Sequence, residues 1–277
     1  MEKMRILLYS DGSEVGSLGV TLGKRIAKAA ARAVDILATA RTPERSEVSQ
    51  QEIEATAADL REHGIPVTVY RRPGFMGQQL LRQADANDYD LIVVGSRGRK
   101  GLKRLLAGSR ACAILGGAAT SVLVVKRRAP EVIGDILVCS AAGPASAETV
   151  RFAARMAHAL GASVTLLHVM SQVALEEGAD EADLEAEADE LMERHAREGV
   201  HLENMLQILR DEDVGAKAIV RHGLVVEEIL AEARSGHFDM MIIGAHTTPD
   251  IAGLLSSDLS QRIMLAVKRP ILIVHQE

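Results

Sequence analysis

Glycines at a fixed spacing form the segment of this sequence best suited to chemistry. After the apolar run 91–94 the chain has Gly95, two residues, Gly98, nine residues and then the pair Gly108-Ser109. Glycines let a backbone approach phosphate oxygens closely and aim its N–H groups at them. A Gly-Ser pair at the start of a helix adds N–H donors, the positive helix end and a hydroxyl. The spacing therefore predicts a polyphosphate-binding loop.

Basic side chains surround this loop. They are Arg97, Arg99, Lys100, Lys103, Arg104 and Arg110. The alternative is that Gly95 and Gly98 only end a strand, that Ser109 only caps a helix, and that the basic side chains are solvated. The loop is not a Walker A motif, because no Gly-Lys-Ser/Thr follows, and it does not stand after the first strand as a dinucleotide fingerprint would. We favour the phosphate loop because the full spacing is present.

Alternating strands and helices must position this loop. In the first half, apolar runs predict strands and helical periodicity predicts helices. Strands are expected near 5–9, 34–39, 66–71, 90–95 and 121–126, and helices near 14–32, 47–63, 76–87 and 108–118. Continuous Ile/Leu/Val strands joined by helices predict a parallel, doubly wound sheet covered on both faces. Its ligand crevice lies at the carboxyl ends of the strands, so functional residues are expected after strands 1, 2 and 4.

The chain contains this plan twice. Residues 5–10, RILLYS, align with residues 135–140, DILVCS, at an offset of 130, and further along the offset becomes 149. We therefore expect two tandem α/β domains, residues 1–129 and 130–277, each built on a five-stranded doubly wound parallel sheet.

The second copy holds 19 additional residues, the difference between the two offsets of 149 and 130. They fall in or near the acidic stretch 176–198, where Leu184, Leu191 and Met192 form a sparse apolar stripe among carboxylates. This pattern predicts a longer, solvated surface helix rather than a dedicated binding tail.

The glycine motif, in its strand–loop–helix setting, resembles the universal stress protein family, whose ATP-binding members carry G-2x-G-9x-G-[S/T] at this place. The resemblance covers both halves, so the chain looks like a tandem member with a Rossmann-like fold of the adenine nucleotide alpha hydrolase type. It implies an ATP site in the first half, with Gly95, Arg97, Gly98, Gly108 and Ser109 at the phosphates. Whether Mg²⁺ accompanies the nucleotide stays open.

The resemblance extends to the ends of the first two strands. Segment 10–13, SDGS, is similar to the family segment beside adenine and ribose, so Asp11 would accept a hydrogen bond from the nucleotide and Gly12 would allow the close turn. Capping of the helix that starts near Glu14 explains Asp11 equally well. Thr39 matches the family position that packs on adenine, where members usually have an apolar residue, and a plain strand-end threonine is the alternative.

The second copy lacks the residues of this site. It has Ala141 in place of Asp11, Ala142 in place of Gly12, Thr247 in place of Gly98, Ser257 in place of Gly108 and Asp258 in place of Ser109. A carboxylate at a phosphate position is repulsive, so we expect ATP in the N-terminal half only. The residue types that bind zinc occur here at Cys139, His168, His246, Asp250 and Asp258. No pair of them has a ligand spacing, so we interpret them as ordinary polar residues and expect no metal site.

Charge divides unevenly between the halves. Residues 1–130 carry 21 Lys and Arg against 13 Asp and Glu, a net of +8, and residues 131–277 carry 11 against 25, a net of −14, which together give −6. The asymmetry favours an anionic ligand in the first half and attraction between the halves.

Composition excludes several classes of function. No apolar run approaches the ~18 residues of a membrane span, and the N-terminus has no signal-peptide pattern, so we expect a cytoplasmic protein. Two cysteines, Cys112 and Cys139, argue against a disulfide framework or a structural zinc site. Aromatic residues make up only 2% of the chain, which argues against base-stacking on nucleic acid.

Three functions stay open. The first is a nucleotide-binding regulatory or stress-adaptation protein without fast catalysis, because no nucleophile–base pair and no acidic pair at the loop is evident. The second is a slow ATPase or phosphotransferase with Asp11 as metal ligand or base. The third is a scaffold that only dimerises and recruits partners, without nucleotide.

Assembly can be inferred from the last strand of each copy. Segments 122–125 and 271–274 would lie at the edge of their own sheets, and apolar edges seek partners. Family members commonly dimerise through this strand, so the resemblance implies an intramolecular pseudo-dimer of the two copies. A homodimer of whole chains stays open.

Overall fold

The sequence repeat forms two compact units. The computed structural model describes residues 3–39, 43–72, 76–96, 120–126, 129–141, 145–170, 186–245 and 256–275. The first unit comprises Met1–Glu131 together with Lys268–His275, and the second comprises Val132–Val267.

Strands and helices alternate in both units. The first has β1 Met4–Ser10, α1 Glu14–Ala30, β2 Ala31–Ala38, α2 Pro43–Glu62, β3 Val67–Arg71, α3 Met76–Asp85, β4 Leu91–Gly95 and β5 Ser121–Val125. The second has β6 Asp135–Ser140, α4 Ala145–Leu160, β7 Ser163–Met170, α5 Ala188–Glu193, α6 Arg197–Asp211, β8 Ala216–His222, α7 Val225–Ser235, β9 Met240–Gly244 and α8 Ser256–Ala266. The last strand, β10 Ile271–Val274, belongs to the first unit. The predicted helix near 108–118 lies outside the described residues.

The first unit has the predicted doubly wound sheet. Its strand order is β3-β2-β1-β4-β5, all parallel, and the order reverses between β1 and β4. Ile6, Leu7 and Leu8 on β1 are fully inaccessible, as expected for a sheet covered on both faces. β10 pairs antiparallel with β5, with Ile271 opposite Val124.

The second unit repeats the winding with four parallel strands in the order β9-β6-β7-β8. Its β6 is the counterpart of β1 and pairs with β7 on one side and β9 on the other. The carboxyl ends of β6, β7 and β9 therefore correspond to those of β1, β2 and β4.

α1 lies close to the sheet because small residues line the face that it presents. A Cβ on Gly23 would come within 2.4 Å of a methyl of Leu8, and one on Gly19 within 2.8 Å of the backbone nitrogen of Gly95. Ser13 caps the helix by accepting a hydrogen bond from the backbone nitrogen of Gly16. This close packing fixes the start of α1 at the carboxyl ends of β1 and β4.

A network of polar side chains links α3 to β1 and β2 of the first sheet. Buried Asp35 on β2 accepts hydrogen bonds from Arg5, at 2.9 Å, and from the hydroxyl of Tyr89, at 2.5 Å. Gln83 on α3 donates to the same hydroxyl at 3.0 Å. Burial and the Asp35 carboxylate raise the pKa of Tyr89 far above its usual value, so the phenol stays protonated.

Two helices end in the same way in the two copies. After α2, Gly64 has a φ of +75°, its amide bonds to Arg61 and the next amide bonds to Leu60. After α6, Asp213 has a φ of 55°, with the same pair of bonds to Arg210 and Leu209. Both are Schellman motifs, in which the residue after the cap takes a left-handed conformation.

In the described part of the acidic stretch, residues 186–198, the prediction of one longer surface helix is wrong, and residues 176–185 lie outside the described residues. The chain folds into α5 and α6 instead, separated by His195, which has a φ of 53°. A Cβ on Gly199 would lie 2.0 Å from the carbonyl oxygen of Leu191, so the end of α5 packs directly against α6. Leu191, from the predicted apolar stripe, is fully buried.

The boundary between the first helix and the second strand lies two to three residues earlier than predicted. The helix predicted near 14–32 ends at Ala30, and β2 starts at Ala31 without a loop. Alanine favours a helix, and pairing of Ala31 with Met4 on β1 outweighs that preference.

Candidate functional site

The turn after β1 brings Asp11 and Gly12 to the start of α1. Oδ1 of Asp11 accepts hydrogen bonds from the Ser13 amide, at 3.1 Å, and from the Ser13 hydroxyl, at 2.5 Å. Gly12 has a φ of 67°, the left-handed region that favours glycine, and its amide donates to Oγ of Ser10 at 3.3 Å. The helix cap is Ser13 and not Asp11, so Asp11 supports the cap through one oxygen.

Thr39 lies directly after β2 and is buried. Its amide donates to the carbonyl of Ser10 at 2.9 Å, and its hydroxyl is 2.5 Å from the hydroxyl of Tyr9 on β1. These two bonds hold the ends of β1 and β2 together at the edge of the sheet. Thr39 thus has a structural role beside any contact with a ligand.

Gly95 ends β4 against the first turn of α1. A Cβ at this position would lie 1.8 Å from the carbonyl oxygen of Val15 and 2.9 Å from the nitrogen of Gly16. The glycine is therefore required for the packing of α1 on β4. This packing places the end of β4 beside the Asp11 turn.

Two polar residues that the sequence analysis did not single out complete this edge. Ser96 follows β4 and is 5% exposed, and its amide donates to the carbonyl of Val125 at 2.8 Å. Lys126 follows β5 and is also 5% exposed. Burial lowers the pKa of the Lys126 ammonium to about 8. In the sequence, these two sites are recognisable only as polar residues that directly follow the apolar runs of β4 and β5.

The other predicted phosphate-binding residues, Arg97, Gly98, Gly108 and Ser109, lie outside the described residues. The structure brings Asp11, Gly12, Thr39 and Gly95 to one edge of the first sheet.

The corresponding edge of the second unit is occupied by histidines. Ser140 ends β6, as Ser10 ends β1, and its hydroxyl is 2.8 Å from Nε2 of His201 on α6. His168 on β7 donates from Nδ1 to the carbonyl oxygen of Ser140 at 3.1 Å, and the two imidazole rings are 5.8 Å apart. Where the first unit has the Asp11 carboxylate, the second has Ala141, whose carbonyl accepts a hydrogen bond from Ser146.

Burial sets the protonation of this histidine cluster. Desolvation lowers the pKa of both His168 and His201, and nearby Glu198 opposes this in each case. The neutral form is therefore favoured for both rings.

The remaining candidate zinc ligands do not form a described site. Within the described ranges no three His, Cys, Asp or Glu residues are grouped so as to hold a metal ion. Desolvation raises the pKa of the Cys139 thiol, which disfavours the thiolate that zinc binds. His246 and Asp250 lie outside the described residues, as does the side chain of Asp258.

In the part of the chain that the structure describes, no helix is long and apolar enough to cross a membrane.

Comparison with known proteins identifies the family. The model of the universal stress protein family matches residues 4–126 and again residues 133–275. No curated protein matches the sequence significantly.

Solved structures agree on the fold. A universal stress protein from Archaeoglobus fulgidus is 17% identical, with a TM-score of 0.66, over 99% of this chain and 96% of that one. A putative universal stress protein from Pseudomonas aeruginosa is 14% identical, also with a TM-score of 0.66, over 99% of this chain and 93% of that one. A third, in complex with cAMP, is 16% identical with a TM-score of 0.40 over 53% of this chain and 100% of that one, a likeness too low to bear on the ligand of this chain. With the family model matched in both halves, the chain belongs to the universal stress protein family and is a tandem member of it.

Proposed function

We propose that the protein binds ATP in its first unit and acts as a nucleotide-responsive regulatory protein rather than as an efficient enzyme. The observation that carries this proposal is the position of the end of β4. Gly95 lies beside the Asp11 turn at the carboxyl edge of the sheet, where the strand order reverses between β1 and β4. Doubly wound sheets bind their ligands at this point, and the glycine motif starts from it.

The proposed roles follow the residues along this edge. Oδ2 of Asp11, the oxygen that Ser13 does not use, accepts a hydrogen bond from adenine or ribose. Thr39 packs on adenine. The phosphate loop is formed by Gly95, Arg97, Gly98, Gly108 and Ser109. Mg²⁺ would be bound by the phosphate oxygens of the nucleotide.

The second unit is proposed not to bind ATP in this way. Ala141 replaces the carboxylate of Asp11, and the imidazoles of His168 and His201 surround the end of β6. Asp258 replaces Ser109 and adds a repulsive charge. The net charge of −14 in residues 131–277, from 11 basic and 25 acidic residues, acts in the same direction.

The enzymatic alternative gives Asp11 a different role. A slow ATPase or phosphotransferase would use this carboxylate as a base or a metal ligand. Its Oδ1 already accepts two hydrogen bonds from Ser13, which fixes its orientation and favours binding over proton transfer. Phosphate release by purified protein at saturating ATP and Mg²⁺ distinguishes the two.

Calorimetry with ATP and adenosine tests the proposal. Because the basic loop would attract the phosphates, ATP should bind more tightly than adenosine. Exposed charges are screened beyond about 8 Å at physiological salt, so added salt should weaken ATP binding and leave adenosine binding nearly unchanged. Repeating the titration with EDTA measures how much Mg²⁺ contributes to the affinity for ATP.

Equal affinity for ATP and adenosine at every salt concentration would show that the loop does not hold phosphates. A ligand that binds the native state must stabilise it. If no nucleotide binds and none raises the melting temperature, the protein acts instead as a scaffold that dimerises and recruits partners without nucleotide. A cytoplasmic location and a homodimer of whole chains remain predictions from the sequence.

A further inference from the structure

Three histidines tie α5 and α6 to the rest of the second unit. Nε2 of His201 on α6 lies 2.8 Å from the hydroxyl of Ser140 at the end of β6. His222 at the end of β8 donates from Nε2 to the carbonyl oxygen of Ala186, just before α5, at 3.0 Å. His158 on α4 donates from Nδ1 to the carbonyl oxygen of the residue after α6, at 2.6 Å. Histidine is the side chain whose charge changes near neutral pH, so three contacts of this helix pair involve a titratable ring.

The innermost of these contacts brings two imidazoles to one serine. His168 on β7 is 5% exposed and donates from Nδ1 to the carbonyl oxygen of Ser140 at 3.1 Å. His201 contacts the hydroxyl of the same serine, and the two ring centroids are 5.8 Å apart. One ring belongs to the sheet and the other to α6. Positive charge on both rings would therefore push the helix away from the sheet.

Two titratable groups act on this pair of rings. Glu198, one turn before His201 on α6, favours the charged form of either ring, and His222 on β8 disfavours the charged form of His168. Desolvation is the largest effect, and it lowers the pKa of both rings below 6.5. One carboxylate can balance one imidazolium but not two, so protonation of both rings is costly while α6 covers them.

The other elements of the second unit hold their charged side chains in solvent or in pairs of their own. On α4, the exposed Glu148 and Arg151 form an ion pair at 2.5 Å, and the guanidinium of Arg155 lies over the ring of Phe152. On β8, Arg221 forms an ion pair with a carboxylate of α7. The carboxylates of α5 are exposed. Burial and mutual proximity therefore govern the two rings.

The first copy has different residues at the matching positions. The offset of 149 that relates the ends of α2 and α6 aligns His201 with Glu52, and the offset of 130 aligns His168 with Ala38. Glu52 on α2 accepts a hydrogen bond from the hydroxyl of Ser17 on α1 at 2.6 Å. Helix α2 is thus held through a carboxylate and a hydroxyl, and it provides an internal reference for α6.

We propose that the histidines of the second unit form an acid-sensitive latch, which holds α5 and α6 on the sheet at neutral pH and releases them locally in acid. The structure corresponds to the closed latch. Release would expose the side chains of Leu202 and Leu209 on α6, which are fully buried in the closed form. The latch is a regulatory device of the second unit, and it does not depend on a nucleotide site in the first.

The direction of the response follows from the pKa values of the closed form. Both are below 6.5, so above pH 6.5 the two rings are neutral whether the latch is open or closed. Below pH 6.5 the hydrated rings of the open form take up protons that the closed form resists. The open population therefore rises by up to roughly tenfold per pH unit for each ring that is released.

Hydrogen–deuterium exchange of the full-length protein at pH 7.5, 6.5 and 5.5 measures local release, once each rate is corrected for the intrinsic exchange rate at that pH. Peptides from residues 197–211 of α6 should exchange roughly tenfold faster at pH 5.5 than at pH 7.5. Peptides from residues 48–62 of α2 should change much less, because Glu52 and Ala38 replace the two rings there.

His201→Gln and His168→Asn test the two rings one at a time. Both replacements keep a polar group near the bonded ring nitrogen, and neither amide titrates. Each should lower the acid response of residues 197–211 by roughly threefold or more, since one protonation is lost. His237→Gln changes an exposed histidine and should respond to acid as wild type does.

Three results would overturn the latch. Equal acid responses of α2 and α6 in wild type would show that acid loosens the whole chain. No acid response of α6 in wild type would show that the rings do not release it. An α6 response that is unchanged in both His201→Gln and His168→Asn would show that the rings are not its cause. ATP binding is measured separately, so failure of the latch leaves the proposed function in place.

Discussion

At the scale of single residues, Ser13 holds the candidate site in shape. It caps α1 and fixes one oxygen of Asp11. We predict that Ser13→Ala lowers the unfolding free energy by about 1 kcal/mol, the usual value of a helix cap, as measured by urea denaturation. Ser13→Thr keeps the hydroxyl and should stay near wild type. Equal midpoints for wild type and Ser13→Ala would mean that the cap adds nothing.

Sequence reasoning finds some site residues and misses others for a physical reason. Asp11 and Gly12 were predicted because they stand between a strand and a helix, a local pattern. Ser96 and Lys126 were missed because their burial depends on neighbouring strands far along the chain, including β10. Thr39 was predicted as a contact with adenine, but its bond to Tyr9 could not be anticipated because it joins two strands.

At the scale of elements, the contact between α1 and β4 sets the geometry of the edge. We predict that Gly95→Ala destabilises the protein by about 3 kcal/mol, because the new Cβ would overlap the Val15 carbonyl and overpacking forces the backbone apart. Gly215→Ala is the matched control, since nothing lies within 4 Å of a Cβ there. Thermal melts compare the two variants, and equal melting temperatures would rule out a tight contact at Gly95.

The Schellman motifs after α2 and α6 make a second prediction at this scale. Gly64 in the first copy corresponds to Asp213 in the second, and both take positive φ. Glycine bears this conformation without the steric cost of a Cβ, so Asp213→Gly should stabilise the protein by about 0.5–1 kcal/mol. Asp211→Gly, inside the last turn of α6, should destabilise it instead. Urea midpoints that move the same way for both variants would contradict this explanation.

Strands were easier to predict than the acidic insertion. Continuous apolar runs specify β1, β4 and β6 locally, and helical periodicity places α1 and α3 within a few residues. The break between α5 and α6 depends on His195 in a left-handed turn and on Gly199 packing against Leu191. Neither the left-handed turn nor the close packing can be inferred from a pattern of carboxylates, so the pattern predicts a single helix.

At the scale of the whole molecule, the buried histidines make stability depend on pH. The pKa values of His168 and His201 are below the ordinary 6.5 in the native state, chiefly because of desolvation. Above pH 6.5 both rings are neutral whether the chain is folded or unfolded. Below it, the unfolded chain takes up protons that the native state resists, so stability falls by up to about 1.4 kcal/mol per pH unit for each such group.

Urea denaturation at pH 7.5, 6.5 and 5.5 measures this effect. His168→Gln should flatten the decline below pH 6.5, and His237→Gln, an exposed position, should leave it as in wild type. A His168→Gln slope identical to wild type would show that this ring does not contribute.

The central claim is one ATP site per chain, in the first unit, and the stoichiometry of binding tests it most directly. Calorimetric titration of the full-length protein should give one ATP per chain. Gly98→Val should abolish binding without altering the circular dichroism spectrum, because a branched side chain fills the phosphate space. The matched change in the second copy, Thr247→Val, should leave binding intact. Two equivalent sites per chain, or loss of binding in Thr247→Val but not in Gly98→Val, would contradict the account.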